Sequence, residues 1–305
     1  MLSTLKNTLY NQKGAALVLV AGAMAVILGM AALVIDIGYL YVTKTRLANA
    51  ADASALAGTQ ELPGRPKQAL AVAQSYAAQN GKAEDSFFPS VASDNMSLTV
   101  QLSREVDLFF ARILNHSSKK VTASATAQVR SFAGGTGISP LGIVKQNFVF
   151  GQTYQLKAGA GGGYNGNYRA LSLGGNGSNL YLDNLMYGNK SNTFRIGDWV
   201  PTEPGDMAGP TSQGVDYRLS LDPSATFDTV KSDSGRIVIV PVVDSFSVSG
   251  RNEVLIVGFA AFFLEGAGRR GNDSYIYGKF RQMVVPGEVS SSGTNYGVYG
   301  VTLTQ

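Results

Sequence analysis

The chain has 305 residues, 45% of them hydrophobic and only 15% charged, with 36 glycines and a formal net charge of +4. So few charges among so much Gly, Ser, Thr and Asn describe a β-rich, turn-rich chain, and no basic cluster larger than a pair occurs, which argues against a nucleic acid partner. Cysteine is absent and His116 is the single histidine, so disulfides, thiolate metal sites and a cysteine nucleophile are excluded.

Met1 to Lys13 carries Lys6, Lys13 and no acid, and an uncharged apolar run follows from Gly14 to Ile35. As a helix this run is about 33 Å long, enough to cross a bilayer. It is longer than the core of an ordinary cleaved signal, and no Ala-x-Ala boundary follows it, so a retained span is predicted. The basic leader favours a single pass through the cytoplasmic (inner) membrane, with the N-terminus in the cytoplasm and the C-terminal bulk outside. Lys44 and Arg46, just past the span, oppose that bias. Ala21, Ala25, Gly29 and Ala32 recur on one helix face and Asp36 continues the line, a small-residue stripe suited to packing against another span. Tyr39 and Tyr41 read as an interfacial aromatic belt. Asp36 at the outer boundary can stay hydrated, which favours a structural role over a proton relay.

Beyond the span, Leu40, Thr43, Leu47, Ala50, Ser54 and Ala57 keep helical spacing, so one helix is predicted from about Ala15 to Gly58, ended by Pro63, Gly64 and Pro66. Residues 1–62 form this membrane-spanning helix with its amphipathic extension. A second helix is predicted over Lys67 to Gln79, capped at Asn80-Gly81. A strand over Ser97 to Leu102, a short helix over Val106 to Leu114 and a strand over Val121 to Val129 complete a small α+β unit, residues 63–133. Phe132 to Ser139, with three glycines, reads as a linker. Residues 138–305 read as a β-rich, sandwich- or barrel-like domain. Its strands are predicted at Asn147 to Phe150, Thr153 to Lys157, Arg236 to Val243, Glu253 to Leu264, Tyr275 to Val285 and Tyr296 to Thr304. The fold class is therefore α+β, led by a long pilin-like helix.

Gln12-Lys13-Gly14-Ala15-Ala16, then Ala32-Leu33-Val34-Ile35-Asp36-Ile37-Gly38, then the string ANAADASALAG from Ala48 to Gly58, resemble the TadE/TadG-like domain of Flp (tight-adherence) pilus assembly proteins. The FFARILN segment and the following ASATA strand are similar to family members. Gly166 to Leu171, Thr202 to Thr211 and Val257 to Phe263 resemble a longer, TadG-related subset. The resemblance implies a single-pass envelope protein serving pilus biogenesis through contact with pilin-like or other assembly proteins. Two features depart from the family. Position five after Gly14 is Leu19 where major pilins and the TadE type carry glutamate, so prepilin-peptidase processing is not predicted. In Asp244-Ser245-Phe246-Ser247-Val248-Ser249 the serines lie one place out of register for the metal site of a von Willebrand A domain.

Other motifs read as structural. Gly161 to Gly166 satisfies G-x-G-x-x-G, but no helix follows to receive a pyrophosphate. Asp198, Glu203 and Asp206 share a turn-rich loop that lacks EF-hand spacing, and turn formation outweighs calcium binding. His116 follows a helix end and suits a capping role. No nucleophile–base pair is apparent, so the chain reads as no enzyme, with no cofactor and no metal. The alternative to an assembly protein is an envelope-anchored adhesin that recognises a surface glycan or host ligand; Tyr164, Tyr168, Tyr181 and Trp199 could stack on sugars, although aromatic core packing outweighs that role.

Overall fold

The computed structural model describes residues 12–158, 167–204, 207–246, 251–270, 273–290 and 294–304. The first helix, α1, is continuous over Gln12–Thr59. No proline interrupts it and alanine, the strongest helix former, recurs throughout. It stops at Thr59, where Gln60, Glu61 and Leu62 turn their N–H groups back onto Ala57, Gly58 and Thr59. Pro66 opens helix α2 (Pro66–Asn80), within the first turn where a missing N–H costs nothing. Gly81 after α2 is extended, and its N–H donates to Ala77 O at 2.8 Å.

The extension of α1 and α2 meet through small residues. Ala50, Ala51 and Ala55 on α1 and Ala69, Ala73 and Ala77 on α2 are buried in one cluster. A Cβ built on Gly58 would lie 2.7 Å from Ala69 O and 2.9 Å from Ala73 Cβ. Two helix backbones approach this closely only where side chains are this short, which is the physical content of the ANAADASALAG string. Its short residues clear space for a second helix.

Below the helices lies the first sheet, ordered β1 (Ser86–Val91), β2 (Ser97–Asp107), β3 (Ser118–Gly135), β14 (Val298–Thr304), β12 (Met283–Val284), with β7 (Phe194–Arg195) and β13 (Glu288–Ser290) also pairing with β3. Strands β2 and β3 pair antiparallel from Ser97↔Gln128 to Asp107↔Ser118. Their inner residues Leu98, Val100, Leu102, Ala123, Ala125 and Ala127 pack beneath Leu47 and the α1–α2 alanines. At the edge, Arg104 Nε and Nη2 donate to Asp85 at 2.6 and 2.8 Å, both side chains being almost wholly buried.

In the second sheet β4 (Leu141–Val144), β5 (Thr153–Ala158), β6 (Asn167–Ala170), β9 (Ile237–Val243), β10 (Glu253–Arg270) and β11 (Asp273–Arg281) close on themselves, because β11 pairs with both β5 and β10. The short β8 (Trp199–Pro201) extends β10. All six strands of the ring send residues into one apolar cluster, joined by Tyr181 and Leu185 of helix α3 (Ser178–Tyr187) and Val215 of helix α4 (Ala208–Leu221). On the other face Phe259, Ala261 and Phe263 of β10 join a further cluster containing Phe132 of β3. The β-rich region is therefore barrel-like.

Several sequence expectations are corrected. Val106 belongs to β2, and only Ala111–Leu114 forms a single 3-10 turn, because the β2–β3 ladder continues to Asp107 and leaves ten residues for the connection. Phe132 to Gly135 is strand rather than linker, since β3 runs on to pair with β13 and β7. Asn147 to Phe150 carries no strand. β14 returns from the C-terminal region to pair with β3, from Tyr299↔Ser131 to Thr304↔Thr126, so late residues complete the first sheet. The segment Gly161 to Gly166 lies outside the described residues.

Two outcomes test this packing. Replacing Gly58 with Ala should lower the unfolding free energy by about 1–3 kcal/mol through overpacking against Ala69 O, outweighing a helix-propensity gain of about 1 kcal/mol, as read by chemical denaturation. For Asp85, burial alone would push the carboxyl up, but the Arg104 fork, the Lys82 N–H and the neighbouring charges outweigh it and hold its pKa below the ordinary 3.8. A depressed folded pKa contributes stability that is complete above the unfolded carboxylate value of about 3.9 and is lost as pH falls through the folded value. The melting temperature should therefore fall more steeply below about pH 4 for the wild type than for Asp85→Asn.

Candidate membrane-assembly site

The N-terminal half of α1 is bare. From Ala16 to Ile35 its residues are exposed, apart from the half-buried Ala32, and its most apolar window has a mean hydropathy of 2.7 with none of it buried in the protein. Among the described residues it is the one helix long and apolar enough to cross a membrane. Leu17, Val18, Leu19, Ile27, Leu28 and Val34 are each more than 60% exposed, a surface that only a lipid or another apolar helix would cover favourably.

The burial pattern changes abruptly at Asp36, which is 3% exposed. From there Asp36, Thr43, Leu47, Ala50 and Ser54 are buried and Leu40 and Ala57 half-buried, the stripe expected from the helical spacing. The predicted small-residue face lies on the same side of the rod. Ala21, Ala25 and Gly29 are exposed, Ala32 is half-buried, nothing stands within 4 Å of a Cβ built on Gly29, and Asp36 is bonded to another element.

That element is the β2–β3 connection. One Asp36 carboxylate oxygen accepts the Phe109 N–H at 2.9 Å, and the other accepts those of Phe110 and Ala111 at 3.0 and 2.8 Å. These donors open the 3-10 turn and have no intrahelical partner, so a carboxylate in front of them acts as a cap supplied from another helix. The loop is closed by Leu108 N–H donating to Ser117 O and by Asn115 in the left-handed region at φ 65°, after which His116 N–H donates to Ala111 O. Phe109 lies against Tyr39 with ring centroids 5.8 Å apart. Further along α1, Lys44 Nζ donates to Thr122 O and Thr59 Oγ1 donates to Ala127 O at 3.4 Å. Asp36 to Thr59 is about 35 Å of helix. Ser97 to Asp107 is about 34 Å of strand. The hairpin therefore lies along the helix with its tip at the end of the apolar run.

Elsewhere the candidate residues are structural. Tyr168 and Tyr181 are buried, with Tyr168 Oη bonded to Ser274 Oγ and Tyr181 Oη to Thr211 Oγ1, so they take the core-packing role and offer no face to a sugar. Trp199 is 59% exposed, and Tyr164 lies outside the described residues. Asp198 accepts the Arg195 N–H at 2.7 Å, and Glu203 accepts from Ser172 Oγ and from Arg251, while Asp206 lies outside the described residues. Among the described residues no group of three or more His, Asp or Glu is arranged to hold a metal. Phe246 is buried under the Arg169 guanidinium, 5.6 Å from its ring centroid. His116 is exposed.

The family model described as putative Flp pilus-assembly TadE/G-like matches residues 14–75, which span the apolar half of α1, its extension and most of α2. This N-terminal segment is thus similar to a TadE/G-like domain, in agreement with the resemblance carried by its motifs. No curated protein and no solved structure matches the chain.

Sequence reading took Phe109 to Leu114 for part of a helix and left its contact with Asp36 unseen. The signal available was an acid directly after an apolar span, which requires donors wherever it is buried. Asp36→Ala should leave the amides of residues 109 to 111 without an acceptor and speed their hydrogen exchange by about tenfold, with the β2–β3 ladder unaffected; unchanged exchange would remove the cap's role.

Proposed function

We propose that the protein is a single-pass assembly component of a Flp-type pilus system. Its N-terminus lies in the cytoplasm, its span in the cytoplasmic membrane and its β-rich bulk outside. It acts by helix packing and protein contact rather than by chemistry. The observation that carries this reading is the continuity of an exposed apolar helix of membrane-spanning length with a TadE/G-like extension packed on a sheet. The basic Lys6 and Lys13 ahead of the span favour the inward N-terminus. The stripe of Ala21, Ala25, Gly29 and Ala32 is the proposed contact face for a pilin-like span, because short side chains let two membrane helices approach. The family is one of pilus assembly, and the polar residues around Tyr181 and Glu203 are engaged in holding the fold.

Expressed with its pilus system, the full-length protein should stay in the membrane fraction after alkaline carbonate extraction. Gly29→Leu should reduce the recovery of pilus components in a pull-down while leaving membrane retention intact. Release by carbonate would overturn the anchor, and undiminished co-purification of Gly29→Leu would overturn the packing face.

A further inference from the structure

The connection between β2 and β3 displays large apolar side chains with no counterpart in either core. Phe109 is 64% exposed, Phe110 40% and Ile113 85%, and they sit on a turn held rigid by the Asp36 cap. An exposed Ile is unremarkable by itself. Three such side chains on a ten-residue connection, fixed at the height where the apolar run of α1 ends, form a continuation of the lipid-facing surface. Tyr39 touches Phe109, and Tyr41, about 200° further round α1, is 72% exposed, so aromatic rings stand at this level on both sides of the helix. Aromatic side chains favour the headgroup region of a bilayer.

We propose that the β2–β3 tip is a second membrane contact, in which Phe109, Phe110 and Ile113 enter the outer interface of the same bilayer that α1 crosses. This inference rests on α1 being a membrane span. The occupant is a lipid surface because the patch is continuous with the bare half of α1 and stands level with its end. Around the tip, Arg112, Lys119 and Lys120 are exposed, as are Glu105 and Asp107. Charges of both signs so close together give anionic headgroups no strong preference, so the contact is apolar and only weakly dependent on salt. With the helix and the tip both seated, the sheet is held at a defined height and tilt over the membrane, where a helix alone would leave its tilt unconstrained.

Because the chain has no cysteine, single-cysteine labelling has no background. The full-length protein is reconstituted in phosphatidylcholine vesicles, with and without phosphatidylglycerol. Nitroxides are placed at Ile113→Cys, at Ile27→Cys in the span and at Leu221→Cys, an exposed apolar residue on α4. Collision rates with oxygen and with a water-soluble nickel complex are then measured. The proposal expects the Ile113 label to favour oxygen, at a depth shallower than the Ile27 label, in both lipid compositions, while the Leu221 label favours nickel. Nickel access at Ile113 equal to that at Leu221, with Ile27 still in lipid, would overturn the membrane contact and leave the span intact. Shielding of Ile113 from both reagents would overturn it in favour of cover by a protein partner or a second copy. Nickel access at Ile27 would instead refute the span itself.

Discussion

A single carboxylate joins the bare apolar half of α1 to the part of the chain that packs into a folded unit. Asp36 is almost fully buried, and an anion so placed must be matched by donors. The donors are three successive backbone N–H groups at the start of a 3-10 turn, which would themselves be unsatisfied without it. Each side solves the other's problem. The consequence is geometric. The hairpin tip cannot slide along α1, so the end of the apolar run and the end of the first sheet coincide.

The rest of the N-terminal unit reinforces that alignment. The helix extension and the β2–β3 ladder have nearly the same length, and contacts from Lys44 and Thr59 repeat the attachment along it. On its other side α1 is clamped by α2 mainly through alanines and Gly58, with Leu56 and Leu70 packed against the same cluster. A helix that continues unbroken from lipid into such packing transmits its orientation directly to the sheet. A flexible linker between anchor and domain would have lost that information.

Much of this was legible in the sequence, for identifiable reasons. The span, the continuity of α1 and the buried stripe from Leu40 to Ala57 follow from hydropathy and a period near 3.6, signals that need no tertiary context. The strong strands β9 and β10 announce themselves as apolar runs for the same reason. What was not legible depends on partners distant in sequence. Helix α4 contains Pro210, Gly209 and Gly214, a composition that reads as loop, yet Arg218 donates to Leu185 O and Gly235 O, and Tyr181 bonds to Thr211, holding it against α3. Core packing is the weightier reading of Tyr168 and Tyr181, and it holds, but local composition carries no record of which barrel encloses them. The Asp36 face was half visible. Its spacing placed it on the helix, but residues 109–111 lie more than seventy positions away, and FFARILN has the apolar content of a helix while adopting a turn set by the hairpin register.

The return of β14 decides how the barrel region relates to the anchor. Were the later residues to follow β3 simply as a separate body, one strand would connect the two parts and the barrel would be free to swing. Instead β3 leaves the first sheet carrying Phe132 against Phe259 of β10, with ring centroids 5.2 Å apart, and the chain comes back through β12, β13 and β14 to pair again with the first sheet. Arg195 of β7 adds a two-pronged ion pair to Glu288 of β13 across the same edge. This exposed pair contributes little energy, and the apolar contacts and the ladder do most of the joining. The barrel is thus tied to the sheet by an outgoing strand, a returning strand and a shared core. The sheet in turn is tied to α1 at Asp36. Force or position imposed on the barrel therefore reaches α1 through packed elements.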